Sequence, residues 1–273
     1  GGEYGAVTGY HTTTEGKNYS TEILFSGGTI GTDITASDPV KTIDVQETYP
    51  TSDNSEVKYT FGSIYGGGMG QEAPDGTGNH GGEVGGNTTV TMSGENTKVR
   101  ASVFGGGEMA IVDGNTDVTI SGGEIGRNEV KPADDSDAGY VLFGGATMGN
   151  VYGGGKGHKD HTEAGQVKGN TNVTISGGNV YHNVYGGGAL ASVGTFDLSN
   201  GTDAPAYIPI AGVPYQWKYT DGTDINSAEP AADKTPTGTA TVTITGGTIG
   251  ISGRDNGLVF GSSRGDLTMP TGT

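Results

Sequence analysis

The sequence predicts an all-β protein, a right-handed parallel β-helix (β-solenoid) interrupted by loop insertions. Three observations predict this fold: a recurring strand motif, a recurring glycine triplet, and a short distance between copies. Of 273 residues, 55 are glycine, far above the ~7% that is usual in proteins. These glycines do not follow the Gly-X-Y period of collagen. They recur at fixed places in a repeat, which indicates corners rather than a flexible linker.

The strand motif is Gly-Asn-Thr-x-Val-Thr-Ile-Ser-Gly-Gly. It begins at Gly86, Gly114 and Gly169, with looser copies at Gly238 and around residues 23–30. Apolar and polar residues alternate, which predicts a strand with one buried face. The inward residues form two matched columns, namely Val90, Val118, Val173 and Val242, and Met92, Ile120, Ile175 and Ile244. The Gly pair that follows predicts a tight bend, since glycine tolerates positive φ.

The second motif is Val or Ile, then Tyr or Phe, followed by a glycine triplet, with copies at 64–68, 103–107, 151–155 and 184–188. Between Gly94 and Gly122 the chain advances only 28 residues. A propeller blade would need about forty residues or more, and a β-sandwich would not need matched columns of one residue type. So thin a unit cannot bury its own apolar face, so it must stack on its neighbours.

Asparagine occupies one corner of three repeats, at Asn87, Asn115 and Asn170. Asn tolerates the left-handed conformation of a corner, and its amide is able to bond the next copy. The pattern therefore predicts a ladder of side-chain amide hydrogen bonds along the stack.

The whole chain, 1–273, is predicted to be one solenoid domain with insertions at about 32–60, 127–139 and 193–237. Residues 1–22 are expected to form an edge strand or cap, because bare strand edges invite further pairing. None of the ten prolines falls inside a core repeat, as a hydrogen-bonded ladder requires.

The formal net charge is −17. Such a surface repels phosphate backbones and anionic lipid, so nucleic acid is not expected as a partner. The chain has no cysteine, which excludes disulfides and thiolate metal sites. No signal peptide, lipid-anchor motif or transmembrane run is recognised. Membrane attachment is therefore expected only through a segment outside this chain.

The 193–237 insertion carries the only tryptophan and five of the ten prolines. Within it, Tyr215, Trp217 and Tyr219 alternate along the chain, which puts three rings on one face of an extended segment. Such rings suit a sugar or protein partner, because they give a large contact area at low entropic cost. The alternative is that they anchor the insertion on the flank of the solenoid.

The 127–139 insertion offers Asp134, Asp135 and Asp137 as candidate calcium ligands. Calcium takes about six to eight oxygens, and no neighbouring motif supplies the others, which favours a solvated acidic loop. A catalytic acid and base pair of a glycosidase is disfavoured, since those enzymes set their acids on rigid strands. No catalytic residue and no required cofactor are predicted.

Two further patterns have plain explanations. His158, Asp160 and His161 contain metal-ligating side chains, but zinc requires three or four converging ligands and an exposed loop cluster is favoured. Residues 264–266 spell Arg-Gly-Asp, an integrin-binding tripeptide, at a corner where the repeat itself requires glycine.

Outward threonines such as Thr89 and Thr241 resemble the arrays of ice-binding solenoids. Asp117 and Asn172 occupy the matching positions in the middle repeats. The array is thus interrupted, and a solvated strand face is predicted.

Together, the two motifs resemble the Gly-rich β-helix repeats of large surface proteins from gut Bacteroides-type bacteria, over roughly residues 23–266 with the insertions set aside. Those proteins are usually described as adhesins. At the level of fold the resemblance also implies the pectin-lyase-like superfamily, although a fold alone does not transfer an activity.

The resemblance implies a location at the cell surface or outside the cell. With the aromatic insertion, it favours a non-catalytic surface or secreted module for cell adhesion, or for binding a host or microbial surface glycan or protein. The alternative is a polysaccharide lyase or glycoside hydrolase. A lyase on this fold would need a basic residue near a calcium-binding acidic cluster on one strand face.

Overall fold

The structure, a computed structural model, describes residues 20–31, 62–72, 79–126, 149–158, 164–194, 238–252 and 256–265. These residues form strands, turns and bends, and none of them is helical. The predicted all-β class is therefore confirmed for this part of the chain. Accordingly, the described segments contain no helix with the length and apolar character needed to cross a membrane.

Fourteen strands are found in the described residues. They are β1 (Thr21–Phe25), β2 (Gly28–Ile30), β3 (Ile64–Tyr65), β4 (Gln71–Glu72), β5 (Asn79–His80), β6 (Thr88–Met92), β7 (Thr97–Val99), β8 (Val103–Phe104), β9 (Thr116–Ile125), β10 (Val151–Tyr152), β11 (Thr171–Val180), β12 (Val184–Tyr185), β13 (Ala240–Ile249) and β14 (Val259–Phe260). Five sequence repeats supply these strands. We number them first to fifth, for residues 20–84, 86–112, 114–167, 169–193 and 238–265.

The larger sheet, which we call sheet 1, takes strands from all five repeats in chain order. Its order is β1-β6-β9-β11-β13, with β2 and β7 beside this path, and every pair is parallel. Val90 pairs with Val118, Val118 with Val173, and Val173 with Val242. The second predicted column also stands in register, in the order Met92, Ile120, Ile175 and Ile244. Both predicted columns are confirmed.

The smaller sheet, sheet 2, takes two residues from each repeat in the parallel order β3-β8-β10-β12-β14. The second residue of each strand is aromatic, and the five rings are Tyr65, Phe104, Tyr152, Tyr185 and Phe260. Successive ring centroids lie 4.8–5.0 Å apart, with interplanar angles of 7–11°. This distance matches the spacing between neighbouring strands, so the backbone pairing sets the stacking of the rings.

A third row of contacts runs beside the two sheets. Single parallel bridges join Val84 to Val112, Val112 to Val167, and Val167 to Val193. The first three of these valines are fully buried and form a small apolar cluster of their own. Each of the first four repeats therefore meets its neighbour at three separate places.

The Gly pair does not end its strand, contrary to the tight bend predicted. Strands β9, β11 and β13 continue through it, with shifts of register at that point. The second glycine of each pair has a positive φ, 86° at Gly123, 82° at Gly178 and 88° at Gly247. The extra freedom of glycine thus produces a bulge within a long strand.

The glycine triplet serves close approach between repeats. A Cβ on Gly105 would lie 2.2 Å from the carbonyl oxygen of Gly153, and one on Gly153 would lie 2.2 Å from that of Gly186. Both distances are far below van der Waals contact. Only a residue without a side chain fits where one backbone passes this close to the next.

The asparagine ladder forms, but between other groups than predicted. The Asn115 backbone N–H donates to Oδ1 of Asn87 (2.9 Å), and the Asn170 N–H donates to Oδ1 of Asn115 (2.8 Å). Oδ1 of Asn170 in turn accepts from the N–H of Thr239 (2.8 Å). Each bond therefore joins a side-chain oxygen to a backbone N–H, instead of joining two side-chain amides.

A second ladder of the same kind stands next to sheet 2. The N–H of Asn183 donates to Oδ1 of Asn150 (3.0 Å), and the N–H of Leu258 donates to Oδ1 of Asn183 (2.9 Å). Earlier in the stack a serine replaces asparagine, since the N–H of Asn150 donates to Oγ of Ser102 (3.0 Å). Both ladders satisfy backbone donors at corners, where no strand partner is available.

Buried threonine hydroxyls join the two sheets inside the second, third and fourth repeats. Thr88, Thr116 and Thr171 have no exposed surface. Their hydroxyls donate to the carbonyl of the first triplet glycine in the same repeat, at 2.5, 2.5 and 2.6 Å. These threonines precede the inward valines by two residues, so they lie on the same buried face of the strand.

Candidate functional site

The aromatic and acidic site candidates from the sequence lie outside the described residues. These are Tyr215, Trp217 and Tyr219 in one insertion, and Asp134, Asp135 and Asp137 in the other. Of the third set, His158 is described and half-buried, whereas Asp160 and His161 are not described. The described residues therefore form the scaffold from which the segments with these candidates extend.

Two of the insertions begin at the same corner of the scaffold. This corner, which we call the exit corner, consists of Gly31, Arg100, Gly126, Tyr181 and Gly250. The backbone N–H of each of the last four donates to the strand end of the preceding repeat, at 2.7–2.9 Å. The sequence segments from 32 and from 127 onward follow Gly31 and Gly126, which lie two repeats apart, or roughly 10 Å at the usual strand spacing.

The ends of the aromatic-bearing segment 195–237 are held together. Gly194 precedes this segment and Gly238 follows it, and the two glycines touch: a Cβ on Gly238 would lie 2.4 Å from Cα of Gly194. Gly194 is fixed in turn, because its N–H donates to the carbonyl of Val167 (2.7 Å). Val193, where the insertion was predicted to begin, pairs with Val167.

A charged cluster fills the exit corner between the two insertion starts. Arg100 has a side chain that is only 8% exposed, and its Nη1 lies 3.1 Å from Oε2 of Glu124. Tyr181 hydrogen-bonds the same carboxylate from the next repeat. The three side chains come from three consecutive repeats, so the cluster ties the second, third and fourth repeats together.

The environment of this cluster changes the acidity of its tyrosine. Burial raises the pKa of Tyr181, and the charge of Glu124 and its hydrogen bond raise it further, while Arg100 lowers it in part. The hydroxyl is thus held in its neutral, hydrogen-bonding form. Because the arginine and the carboxylate already engage each other, we interpret the cluster as a structural clamp.

Sequence reasoning missed this clamp. The one local signal was that Arg100 and Tyr181 occupy the exit corner, where other repeats have Gly31, Gly126 and Gly250. Large side chains at a glycine position mark a place where the corner has additional partners.

The outward face of sheet 1 is a regular surface of short polar groups. One column has Thr91, Thr119, Thr174 and Thr243 in register, and the exposed Leu24 takes that place in the first repeat. The neighbouring column is interrupted as predicted, and there Asn172 Nδ2 donates to Oδ1 of Asp117 (2.9 Å). The bond between Asn172 and Asp117 thus joins the outward faces of the third and fourth repeats.

Two ion pairs lie on the remaining flank, one between the second and third repeats and one between the residues that immediately precede the third and fourth repeats. Lys156 Nζ lies 3.0 Å from Oε1 of Glu108, and Lys168 Nζ lies 2.6 Å from Oδ1 of Asp113. Within the described part of the chain, no three His, Cys, Asp or Glu side chains converge as metal ligands.

Comparisons with protein-family models, with curated proteins and with solved structures found no match. The scaffold and the sequence of the insertions are therefore the features that bear on function.

Proposed function

We propose that the chain is a right-handed β-solenoid that acts as a non-catalytic scaffold at a bacterial cell surface or outside the cell. Its task is to present insertions for cell adhesion or for binding a glycan or protein of a host or microbial surface. One observation carries the proposal: Gly194 and Gly238, the two ends of the aromatic-bearing segment, are in contact on a hydrogen-bonded framework.

The architecture is supported by the order of pairing. Each repeat contributes a strand to the main path of sheet 1 and a strand to sheet 2. Each of these strands pairs in parallel with the corresponding strand of the preceding repeat. Such a return to the same place in each sheet after each repeat supports winding around a common axis. The buried Thr hydroxyls between the sheets and the two oxygen ladders support the same winding.

Fixed ends favour a recognition role for the segment 195–237. Closing a loop costs entropy that grows with its length, and here the framework brings the ends together before any partner arrives. Five prolines restrict the segment further. Such pre-organisation lowers the cost of presenting a binding surface.

The contact surface that we propose within this segment is the run of Tyr215, Trp217 and Tyr219. Its rings offer apolar area together with polar tips, which suits sugars and protein partners alike. In the repeats, by contrast, the side chains pack in the core or form the two oxygen ladders. The charge of −17 favours neutral or basic partners over polyanions.

The deciding experiment is a glycan and extracellular-matrix protein array, followed by titration of the strongest partner. Replacing Tyr215, Trp217 and Tyr219 together by Ala should abolish binding while the thermal unfolding midpoint stays unchanged. Tyr207→Ala is the matched control, because Tyr207 lies in the same segment outside the alternating run.

Full binding by the triple variant would refute the proposed surface. Loss of binding together with a lowered unfolding midpoint would show that the rings anchor the segment instead. The enzyme hypothesis has its own test, in which the purified protein should not cleave pectins, other uronate polymers or neutral plant glycans. Cleavage that disappears in Asp134→Asn and Asp135→Asn variants would establish a lyase or hydrolase.

A further inference from the structure

The oxygen ladder on sheet 1 has a direction. At each interface a side-chain oxygen of the earlier repeat accepts from a backbone N–H of the later repeat. Ser20 begins the series by accepting from the N–H of Asn87 (3.2 Å), and Asn87, Asn115 and Asn170 continue it. In the fifth repeat the corresponding residue is Thr239, which ends the run of asparagines.

The ladder on sheet 2 has the same direction and ends at the same repeat. Its acceptors are Ser63, Ser102, Asn150 and Asn183. The fifth repeat has Leu258 at this position, a side chain without an acceptor that is 52% exposed. A sixth repeat in this register would leave its own corner N–H without the bond that every earlier repeat makes.

The middle glycine of each triplet also faces the following repeat. A Cβ on Gly67, Gly106 or Gly154 would lie 2.7 Å from a backbone nitrogen of the next repeat. In the fifth repeat this position is Ser262, which has a Cβ. A sixth repeat packed as the others are would bring a backbone nitrogen within that same forbidden distance.

We propose that the fifth repeat is a built-in stop, whose outer edge rejects a further repeat in the same register, whether from this chain or from a second copy. The outer edge is the side of β13 and β14 that faces away from β11 and β12. Ile244, Val259 and Phe260 are exposed there. An apolar strand edge of this kind otherwise serves as a template for end-to-end growth.

The inference is independent of the proposed function, since it rests on the described sheets and ladders. Three changes act together. Leu258 removes an acceptor that a following repeat needs, Thr239 replaces the amide acceptor of the inner repeats by a hydroxyl such as Ser20 has, and Ser262 adds an atom where that repeat would pass. The edge therefore stays apolar, and its geometry prevents a further repeat from packing against it.

The test adds a sixth repeat in cis. A copy of residues 169–194 is appended after Thr273, in the natural chain and in a Thr239→Asn, Leu258→Asn, Ser262→Gly background. The ten residues 264–273 connect it, more than the six residues 108–113 that link a triplet to the next strand motif within the stack. Limited proteolysis with mass spectrometry then follows the appended copy.

In the natural background the copy should be cleaved as fast as an unfolded tail, with no change in the thermal midpoint. In the substituted background cleavage should slow by about tenfold or more, because a docked repeat must open first. An appended copy with aspartate at the position equivalent to Val173, which cannot dock, sets the unfolded rate.

Equal protection in the natural background would overturn the proposal. Rapid cleavage in both backgrounds would overturn it too, because the three residues would then not be what closes the edge. Circular dichroism and sedimentation of the substituted chain without the appended copy confirm that its own fold is intact.

Discussion

The fourth and fifth repeats have the same alternating pattern in their long strands, with five of ten residues identical, but very different surroundings. Strand β11 reads TNVTISGGNV and β13 reads ATVTITGGTI. Ile175 in the fourth repeat is fully buried, whereas Ile244, its register partner in the fifth, is 42% exposed. Val173 is buried as well, while Val242 packs only partly against the core.

The difference shows that burial in this protein is supplied by neighbours along the stack. An inner repeat is covered by a neighbour on both of its faces, whereas the last repeat is covered on only one. Stability should therefore follow a nearest-neighbour rule, as expected for stacked repeats. Matched substitutions placed in an inner repeat and in the fifth repeat measure that rule directly.

The largest difference is expected for aspartate in the valine column. Val173→Asp places an unpaired charge in a dry interior and should cost more than about 4 kcal/mol, enough to unfold the neighbouring repeats. Val242→Asp should cost far less, because its carboxylate reaches water at the partly exposed end. Chemical denaturation of both variants checks this. Equal losses, or unchanged unfolding of the first variant, would contradict the buried column.

The next largest difference in stability is expected between two alanine substitutions at the glycine that follows the aromatic residue of sheet 2, one in the third repeat and one in the fifth. Gly153→Ala forces a Cβ to within 2.2 Å of the Gly186 carbonyl oxygen and should destabilise by about 1–3 kcal/mol or more, as overpacking does. Gly261 is the matched control, because nothing lies within 4 Å of a Cβ at that position. Gly261→Ala should be neutral or slightly stabilising. A comparable loss in both variants would show that conformational freedom, and not close approach, is what the triplet requires.

A smaller difference is expected in the ladder on sheet 1. Asn115→Ala removes the acceptor for the N–H of Asn170 and should cost about 1 kcal/mol, a typical hydrogen bond. Thr239→Ala removes a side chain that accepts nothing from a later repeat, so its effect should stay within about 0.5 kcal/mol. Hydrogen exchange at the Asn170 amide gives an independent reading, since it should accelerate only in the first variant.

The smallest effect concerns pH at the exit corner. The folded-state pKa of Tyr181 is raised above its unfolded value, so its stabilising contribution is complete below about pH 10 and is lost as pH rises through the folded pKa. The fifth repeat has Gly250 at this corner and no such contribution. Tyr181→Phe keeps the ring and should flatten the fall of the thermal midpoint above about pH 10. An unchanged pH dependence would exclude the role given to this hydroxyl.

The sequence predicted those features that depend on alternation alone. Inward and outward sides follow from a period of two, so the columns through Val118 and Ile120 could be read from the motif. The Asn corners could be placed as well, but the choice of partner could not. Either the backbone N–H or the side-chain amide of Asn115 could have donated to Asn87. The spacing between strands selects the backbone N–H.

Other features depend on several repeats at once. The aromatic stack through Tyr152 requires rings of two neighbours in the same rotamer, and Arg100 reaches Glu124 only because sheet 1 sets their strands side by side. The triplet was understood as a corner needing freedom, whereas Gly153 is needed for close approach. The insertion candidates, among them Trp217, stay predictions, because their neighbours cannot be inferred from a repeat pattern.

The two oxygen ladders also have a mechanical consequence. Their hydrogen bonds run from one repeat to the next, along the same direction as the strand pairing. A pull applied along the stack would load these bonds one interface at a time, so the repeats should peel away singly. Each event would release a chain such as 169–193, or roughly 80–90 Å at full extension. Force spectroscopy would then record one peak for each repeat, at spacings that follow the unequal repeat lengths, and the partly covered fifth repeat would yield at the lowest force.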